Sequence, residues 1–380
     1  MSHYSRRLLF HLVGFVFPAI VPAARAWAGG SSYDSAVPSR TFDGLKSPYD
    51  VDGRRASIGA PEDDLDCEMP PPPVTILDHE SKYASGTHSS VVDPKLEAAY
   101  QDKLEAVSDF YNPLARISDR YMKSRPRATE IAMCASNWLE SWAEAQALEQ
   151  GVTEQGRMVQ AWALASLSTT YLKIRTDPYL SSQANETIVN WLARLNTLVI
   201  ANFETNASKD SRSNNHRYWA NWAVCATAIV LNDQEAFAWA SDGFDRACNA
   251  VTPEGTLPLE MARRGKALHY HNFSLGPLVL HAEALIANGR LDAYEAGGGG
   301  IKRLATKVVA GLDDPDIFAD LAGTKQDLSG TLKDTQLAWM EPYYARFQAP
   351  ELKKWLNRYR PMVAQRLGGD LTFLFGTTVS

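Results

Sequence analysis

Asn214-Asn215-His216-Arg217-Tyr218-Trp219 is the densest polar and aromatic run in the chain, and it opens a helical pattern that continues through Trp222, Val224 and Ile229. Asn214 suits an N-cap. The backbone N–H groups and the dipole of a helix start favour an anion, so Asn215 and His216 could face a carboxylate there. An Asn-His pair in this place is equally compatible with a cap or with ordinary core hydrogen bonds. A second run, Leu257 to Asn272, contains Glu260, Arg263, Arg264, Lys266, His269 and Tyr270. On a helix, Arg263 and Tyr270 are seven residues apart and share a face, with Lys266 on the same side. The chemistry on offer is anion binding beside a phenol; the plainer alternative is a solvated basic face with a packed tyrosine.

The elements that must position these residues are helices. From Pro94 onward the apolar pattern has helical periodicity almost to the C-terminus. It predicts helices near 94–123, 128–150, 155–175, 183–203, 216–231, 233–249, 262–288, 300–312, 332–347 and 350–358. Breakers separate them at Gly151, Asp177-Pro178, Asn232-Asp233 and Gly255, and Gly297 to Gly300 read as a flexible loop tip. Many antiparallel helices on short loops fit an all-α barrel of hairpins around a cleft, an α/α toroid. No fixed-period repeat supports a solenoid.

The N-terminal part differs. Arg6 and Arg7 precede an apolar run to about Ala24, and Ala26-Trp27-Ala28 offers a small-x-small cleavage site. Residues 1–28 are read as a signal peptide, and 29–77, with the run Pro70 to Pro73, as an extended segment before a domain at 78–380. No later stretch is long and apolar enough to span a bilayer. The mature chain is therefore expected to be soluble, periplasmic or secreted, with no membrane contact. Cleavage removes three arginines and no acidic residue, taking the formal charge from −6 to −9. That balance argues against nucleic acid, and any acidic polymer would need cations gathered in one place. Four cysteines, Cys67, Cys134, Cys225 and Cys248, stand in a disulfide-permissive context, and their spacing alone leaves the pairing open. No clustered Cys/His spacing suggests zinc, and no metal is expected. Asp313, Asp314 and Asp316 read as turn residues, and His79 and His88 as loop residues, rather than ligands. No heptad seam stands out, so a monomer is expected.

Asn-Asn-His-x-Tyr-Trp at 214–219 and Arg-x-x-Lys-Ala-Leu-x-Tyr-His-Asn at 263–272 together resemble polysaccharide lyase family five, the alginate lyases acting on polymannuronate. Ser81-Lys82-Tyr83, Trp162-Ala163-Leu164, Trp339-Met340-Glu341-Pro342 and Arg366-Leu367-Gly368-Gly369-Asp370-Leu371-Thr372 follow the family's order, so the resemblance covers about residues 78–373. It implies an incomplete α/α toroid with a deep cleft and a lid loop near 78–92. It also implies a catalytic set of Asn215, His216, Arg263 and Tyr270, and no cofactor. Tyr83, Lys82, Trp162, Lys266 and Arg366 would be substrate contacts. The family's disulfide would pair Cys67 with Cys134.

The implied reaction is β-elimination in a polyuronate such as alginate. The C5 proton lies α to a carboxylate and is barely acidic while that carboxylate keeps its full charge. Donors must therefore stabilise the enolate-like charge that develops. Asn215, His216 and Arg263 suit that clamp, Arg by its fork of donors. In mannuronate the C5 proton and O4 lie on one ring face, so Tyr270 could act as both base and acid. A free tyrosine has a pKa near 10 and would need cations beside it. The rival assignment makes His216 the base and Tyr270 the acid. Arg217, Leu259-Glu260 and His269 depart from the family pattern, and Arg217, Arg264 and His269 are expected to face solvent. Polyglucuronate, or a noncatalytic polysaccharide-binding or export role, are the alternatives. A hydrolase would need two acidic residues in the cleft, and only Glu260 is evident.

Overall fold

Asp93 accepts from the backbone N–H groups of Lys95 and Leu96, and Pro94 fills the first helical position, where a missing N–H costs nothing. These signals start a helix of thirty residues. The computed structural model describes residues 44–57, 66–87, 89–125 and 127–379. The expected signal peptide and cleavage site, residues 29–43 and 58–65, and His88 lie outside them.

Among the described residues the helices are α1 (Val51–Ala56), α2 (Pro94–Lys123), α3 (Ala128–Glu144), α4 (Glu154–Ile174), α5 (Ser182–Ala201), α6 (Asn215–Leu231), α7 (Gln234–Asn249) and α8 (Pro258–Met261). They continue as α9 (Ala267–Ala287), α10 (Ala296–Asp313), α11 (Asp316–Ala322), α12 (Asp334–Leu337), α13 (Met340–Phe347), α14 (Lys353–Tyr359) and α15 (Leu371–Phe375). A single two-stranded hairpin, β1 (Val363–Ala364) with β2 (Gly369–Asp370), is the only sheet described.

Burial sorts the long helices into two layers. α4, α6 and α9 are buried almost all the way round, as inner helices must be. α3, α5, α7 and α10 bury one apolar side and leave the other wet. Inner neighbours pack as α2 on α4, α4 on α6 and α6 on α9, while α3 meets α5 and α7 meets α10 outside. The result is an incomplete α/α toroid. The β1–β2 hairpin and its connecting turn lie against α2, α4 and α9, between the two ends of the inner series.

The segment Asp66–Asp78 is extended and straps across α3. Trp138 and Trp142 donate their indole N–H groups to the Glu68 and Pro71 carbonyls, and Leu148 N–H bonds to Val74 O. Cys67 and Cys134 form the disulfide that the family resemblance implied, across a separation of 67 residues, while Cys225 and Cys248 are free and buried. Chain-entropy reasoning gives a cross-link of that span about 4 kcal/mol. The double variant Cys67→Ser/Cys134→Ser is expected to lose stability by about that amount in denaturant titrations. An unchanged midpoint would show that the strap holds without it.

Several expectations need correction. The extended reading of 29–77 missed α1. The predicted helix at 262–288 begins only at Ala267, because Arg264 adopts φ +50° and Arg264–Lys266 form a 3₁₀ turn. The 332–347 helix is broken between α12 and α13. Gly297 to Gly300 are not a free loop tip. Gly297, Gly298 and Gly299 take positive φ at the head of α10, and a Cβ on Gly297 would come within 2.4 Å of the Cys248 carbonyl. Glycine is what lets this turn close on the end of α7.

Candidate active site

The start of α6 is built as its sequence indicates. Asn214 caps it by accepting from His216 N–H at 3.0 Å. Asn215 follows, fully buried, with its backbone N–H and side-chain amide both donating to one oxygen of Glu260, at 2.8 and 2.9 Å. Glu260 comes from α8 and is fully buried, and its burial raises its carboxyl pKa. It thus fixes which way the Asn215 amide points and leaves Asn215 Oδ1 without a partner. Sequence reasoning had singled out Glu260 only as a lone carboxylate. Its place three residues before Arg263 carried no signal of this anchoring role.

His216 comes next and faces a cavity of about 380 Å³, shared with Asn214, Ser89 and Arg263. Enclosure of the ring lowers its pKa to about 4, and the Arg263 charge pushes the same way. The imidazole is therefore neutral at neutral pH. Its Nδ1 has no hydrogen-bond partner among the described residues.

Arg263 and Tyr270 do come together, but not as two positions on one helix. Arg263 precedes the 3₁₀ turn and Tyr270 lies in the first turn of α9; the bend brings the guanidinium carbon 3.5 Å from the Tyr270 ring centre. Arg263 Nε and Nη2 both donate to the Ser89 carbonyl, at 3.1 and 2.8 Å. Tyr83, in the loop leading to Ser89, places its hydroxyl in hydrogen-bond contact with that of Tyr270, and its own ring centre is 5.3 Å from the guanidinium. Burial, with Tyr270 adding to it, raises the Tyr83 pKa well above the ordinary value.

The remaining candidates divide. Trp162 on α4 is almost buried; the Arg366 guanidinium lies 4.4 Å above its ring, and His216 is 6.3 Å away between centroids. Arg366 also donates to the Tyr111 hydroxyl at 3.1 Å. It lines a second cavity of about 240 Å³ with Trp219, Phe273 and Gln336. Trp162 thus lies against both Arg366, which lines this cavity, and His216, which lines the other. Lys82 instead pairs with Glu97 at 3.5 Å, and Lys266 is held by Asp327 at 2.7 Å, so neither cation is free to serve Tyr270 in this arrangement.

Two residues expected to face solvent do not. Arg217 is buried, bonded to Asn221 and Glu204, with its guanidinium 3.9 Å over Trp239. His269 is partly buried, tied to Thr331 at 3.0 Å and packed edge-on to Tyr270. Arg264 is exposed, as expected. Among the described residues no group of three His, Cys, Asp or Glu is placed to hold a metal. Asp313 pairs with Lys354, and Asp314 accepts from Asp316 N–H, as a turn residue would.

A buried amide anchored on a carboxylate, a neutral imidazole, and a guanidinium laid on a phenol could together bind an anion with a proton-transfer group beside it. The chain as a whole is similar to known proteins. A family model described as alginate lyase matches residues 78–318. The alginate lyase of Pseudomonas syringae pv. syringae is 34% identical over 93% of this chain and 92% of that protein. The chain belongs to the alginate lyase family. The alginate lyase of Pseudomonas paraeruginosa is 33% identical, covering 96% of this chain and 97% of its own. Among solved structures, alginate lyase A1-III, crystallised as a tyrosine-to-phenylalanine variant with a tetrasaccharide, matches at 25% identity. Its TM-score is 0.79, over 88% of this chain and 98% of that one. The same enzyme from Sphingomonas species A1 matches with a TM-score of 0.76 and equal coverage. Membership makes this alginate lyase homologue a polysaccharide lyase with an acidic polysaccharide as its substrate class.

Proposed function

We propose that the protein is an endo-acting lyase that cleaves mannuronate-rich alginate by β-elimination, with Asn215, His216, Arg263 and Tyr270 as its catalytic residues. The observation that carries this reading is the Arg263 guanidinium 3.5 Å from the Tyr270 ring, beside His216 and the anchored Asn215. Arg263 neutralises the C5 carboxylate as the C5–H bond breaks, and the second N–H of the Asn215 amide, the one not given to Glu260, donates to it. The Tyr270 oxygen takes that proton and passes it to O4. The C4–O4 bond then breaks, the C4–C5 double bond forms, and no water is consumed. An imidazole with a pKa near 4 is a weak base for a carbon acid at neutral pH, which favours Tyr270 over His216 as the base. His216 is then a neutral hydrogen-bonding partner of the carboxylate.

Tyr83 and Lys82 lie on the proposed lid loop near 78–92, while Trp162 and Arg366 form the wall on the other side. Lys266 would become a substrate contact by exchanging Asp327 for a uronate carboxylate. Cavities against Arg366 and against His216, residues that both pack on Trp162, would suit an internal segment of a chain, hence endo cleavage. A signal peptide at 1–28, a segment 29–77 ahead of the lyase domain, a periplasmic or secreted location and a monomeric state complete the reading.

The deciding experiment follows ultraviolet absorbance of the conjugated product on polymannuronate, polyguluronate and polyglucuronate. A rise confined to, or fastest on, polymannuronate is expected. A rise mainly on polyglucuronate overturns the substrate, and binding with no rise on any polymer overturns the lyase.

The pH dependence separates the two states of His216. If the neutral ring is required, its lowered pKa means that His216 itself adds no limb to the kcat/KM profile between pH 8 and about 5. The acid limb then falls near pH 4, well below the ordinary histidine value. A limb centred near 6.5, or activity rising on acidification, contradicts the neutral role. Circular dichroism at each pH keeps unfolding apart from titration.

A further inference from the structure

The turn that carries Arg366 has three successive carbonyls, and each is taken by a buried side chain from a different part of the fold. Trp222 on α6 donates its indole N–H to Arg366 O at 2.9 Å. The Tyr49 hydroxyl, from the segment before α1, donates to Leu367 O at 2.8 Å. Lys173 on α4, fully buried, donates to Gly368 O at 2.7 Å and pairs with Asp119 on α2 at 2.7 Å. Asp119 in turn accepts from Asp370 N–H at 3.0 Å. Gly368 takes φ +112°, and a Cβ there would come within 2.5 Å of the Tyr49 oxygen, so the turn and its clamp are fitted to each other.

A tight turn could satisfy these carbonyls with water or with its own backbone. Here a buried charge pair is taken out of water instead, an arrangement that is costly and weak as a source of stability. What it fixes is one orientation of the loop. Trp162 and Lys173 are eleven residues apart on α4, three turns, and so share a face. The Arg366 side chain thus rests on the same helix face that clamps its backbone.

Resting on the reading of Arg366 as a substrate contact, we infer that Tyr49, Lys173 and Asp119 are positioning residues that hold Arg366 over Trp162 for the polymer. None of the three touches the proposed reacting centre. Tyr49 gives the chain before the family-matched region a part in substrate binding.

Tyr49→Phe tests this cleanly, because it removes one hydroxyl and keeps the ring. It is expected to raise KM for polymannuronate about 3- to 10-fold, leave kcat within about twofold, and speed amide exchange at 366–370. In an Arg366→Ala background the same change should have no further effect on KM, since residues acting as one unit are not additive. Lys173→Met is a second variant, expected to act in the same direction where it folds. Unchanged KM in Tyr49→Phe overturns the inference, and so does an equal rise with or without Arg366. Arg366→Ala with normal KM overturns it too, by removing Arg366 from substrate binding. A wild-type protein without lyase activity on any polyuronate instead defeats the functional reading itself.

Discussion

Tyr270→Phe is expected to lower kcat on polymannuronate by at least about 10³-fold while KM changes little. Proton transfer by a positioned side chain contributes roughly 10²–10⁴-fold, and the proposed mechanism asks Tyr270 for two such transfers. Phenylalanine keeps the ring beneath the Arg263 guanidinium and the packing against Phe273, so the fold and the anion site should persist. Thermal melting and binding of the intact polymer check that they do. A variant retaining a tenth of wild-type activity would remove Tyr270 from the chemistry. A far larger kcat loss in His216→Ala than in Tyr270→Phe would move the base to His216.

Arg263→Lys is expected to cost about 10²–10³-fold in kcat, the usual effect of losing one preorganised donor to a developing oxyanion. Lysine keeps the positive charge but not the planar fork. Arg263 now spends Nε and Nη2 on a single acceptor while its plane lies against Tyr270. An ammonium can occupy neither arrangement fully. Because Arg263 belongs to a turn outside any long helix, its replacement should shift Tm only slightly. Activity within about fivefold of wild type would mean that charge alone suffices and that the fork geometry has no part in catalysis.

Local signals in the sequence were good guides to what is local in the structure. Asp93-Pro94 marks the start of α2, and Asn214 caps α6 as its residue type suggests. The inner helices were also legible, because near-continuous apolar runs such as Trp222 to Val230 have no wet face to show. The pairing of Arg263 with Tyr270 was right for an incomplete reason. Helical spacing put them on one face, yet Arg264 breaks the helix between them and the turn makes the contact. Nothing in Arg263-Arg264-Gly265-Lys266 is apolar enough for periodicity to reveal that break. Contacts distant in sequence were silent altogether. Glu260 meets Asn215 across 45 residues, Lys173 meets Asp119 across 54, and Tyr49 meets Leu367 across 318. Each side chain alone is indistinguishable from a surface polar residue. Arg217 was misplaced for the same reason, since its partners Glu204 and Trp239 lie on neighbouring elements.

The Ser89 carbonyl holds two of the donors that Arg263 would offer a uronate carboxylate in the proposed function. The loop is therefore an internal competitor, and what a glycan gains at this guanidinium is measured against a peptide carbonyl rather than against water. Exchanging that neutral acceptor for a carboxylate is favourable, because charge-assisted bonds are roughly twice as strong. Exchanging it for a hydroxyl or an ester oxygen gains almost nothing. Selectivity is a difference of affinities, so this one backbone carbonyl of the loop would widen the gap between acidic and neutral polymers. Comparing polymannuronate with its carboxyl-reduced form makes this visible: shortening residues 84–90 should narrow their affinity ratio, and an unchanged ratio would leave the loop without that influence.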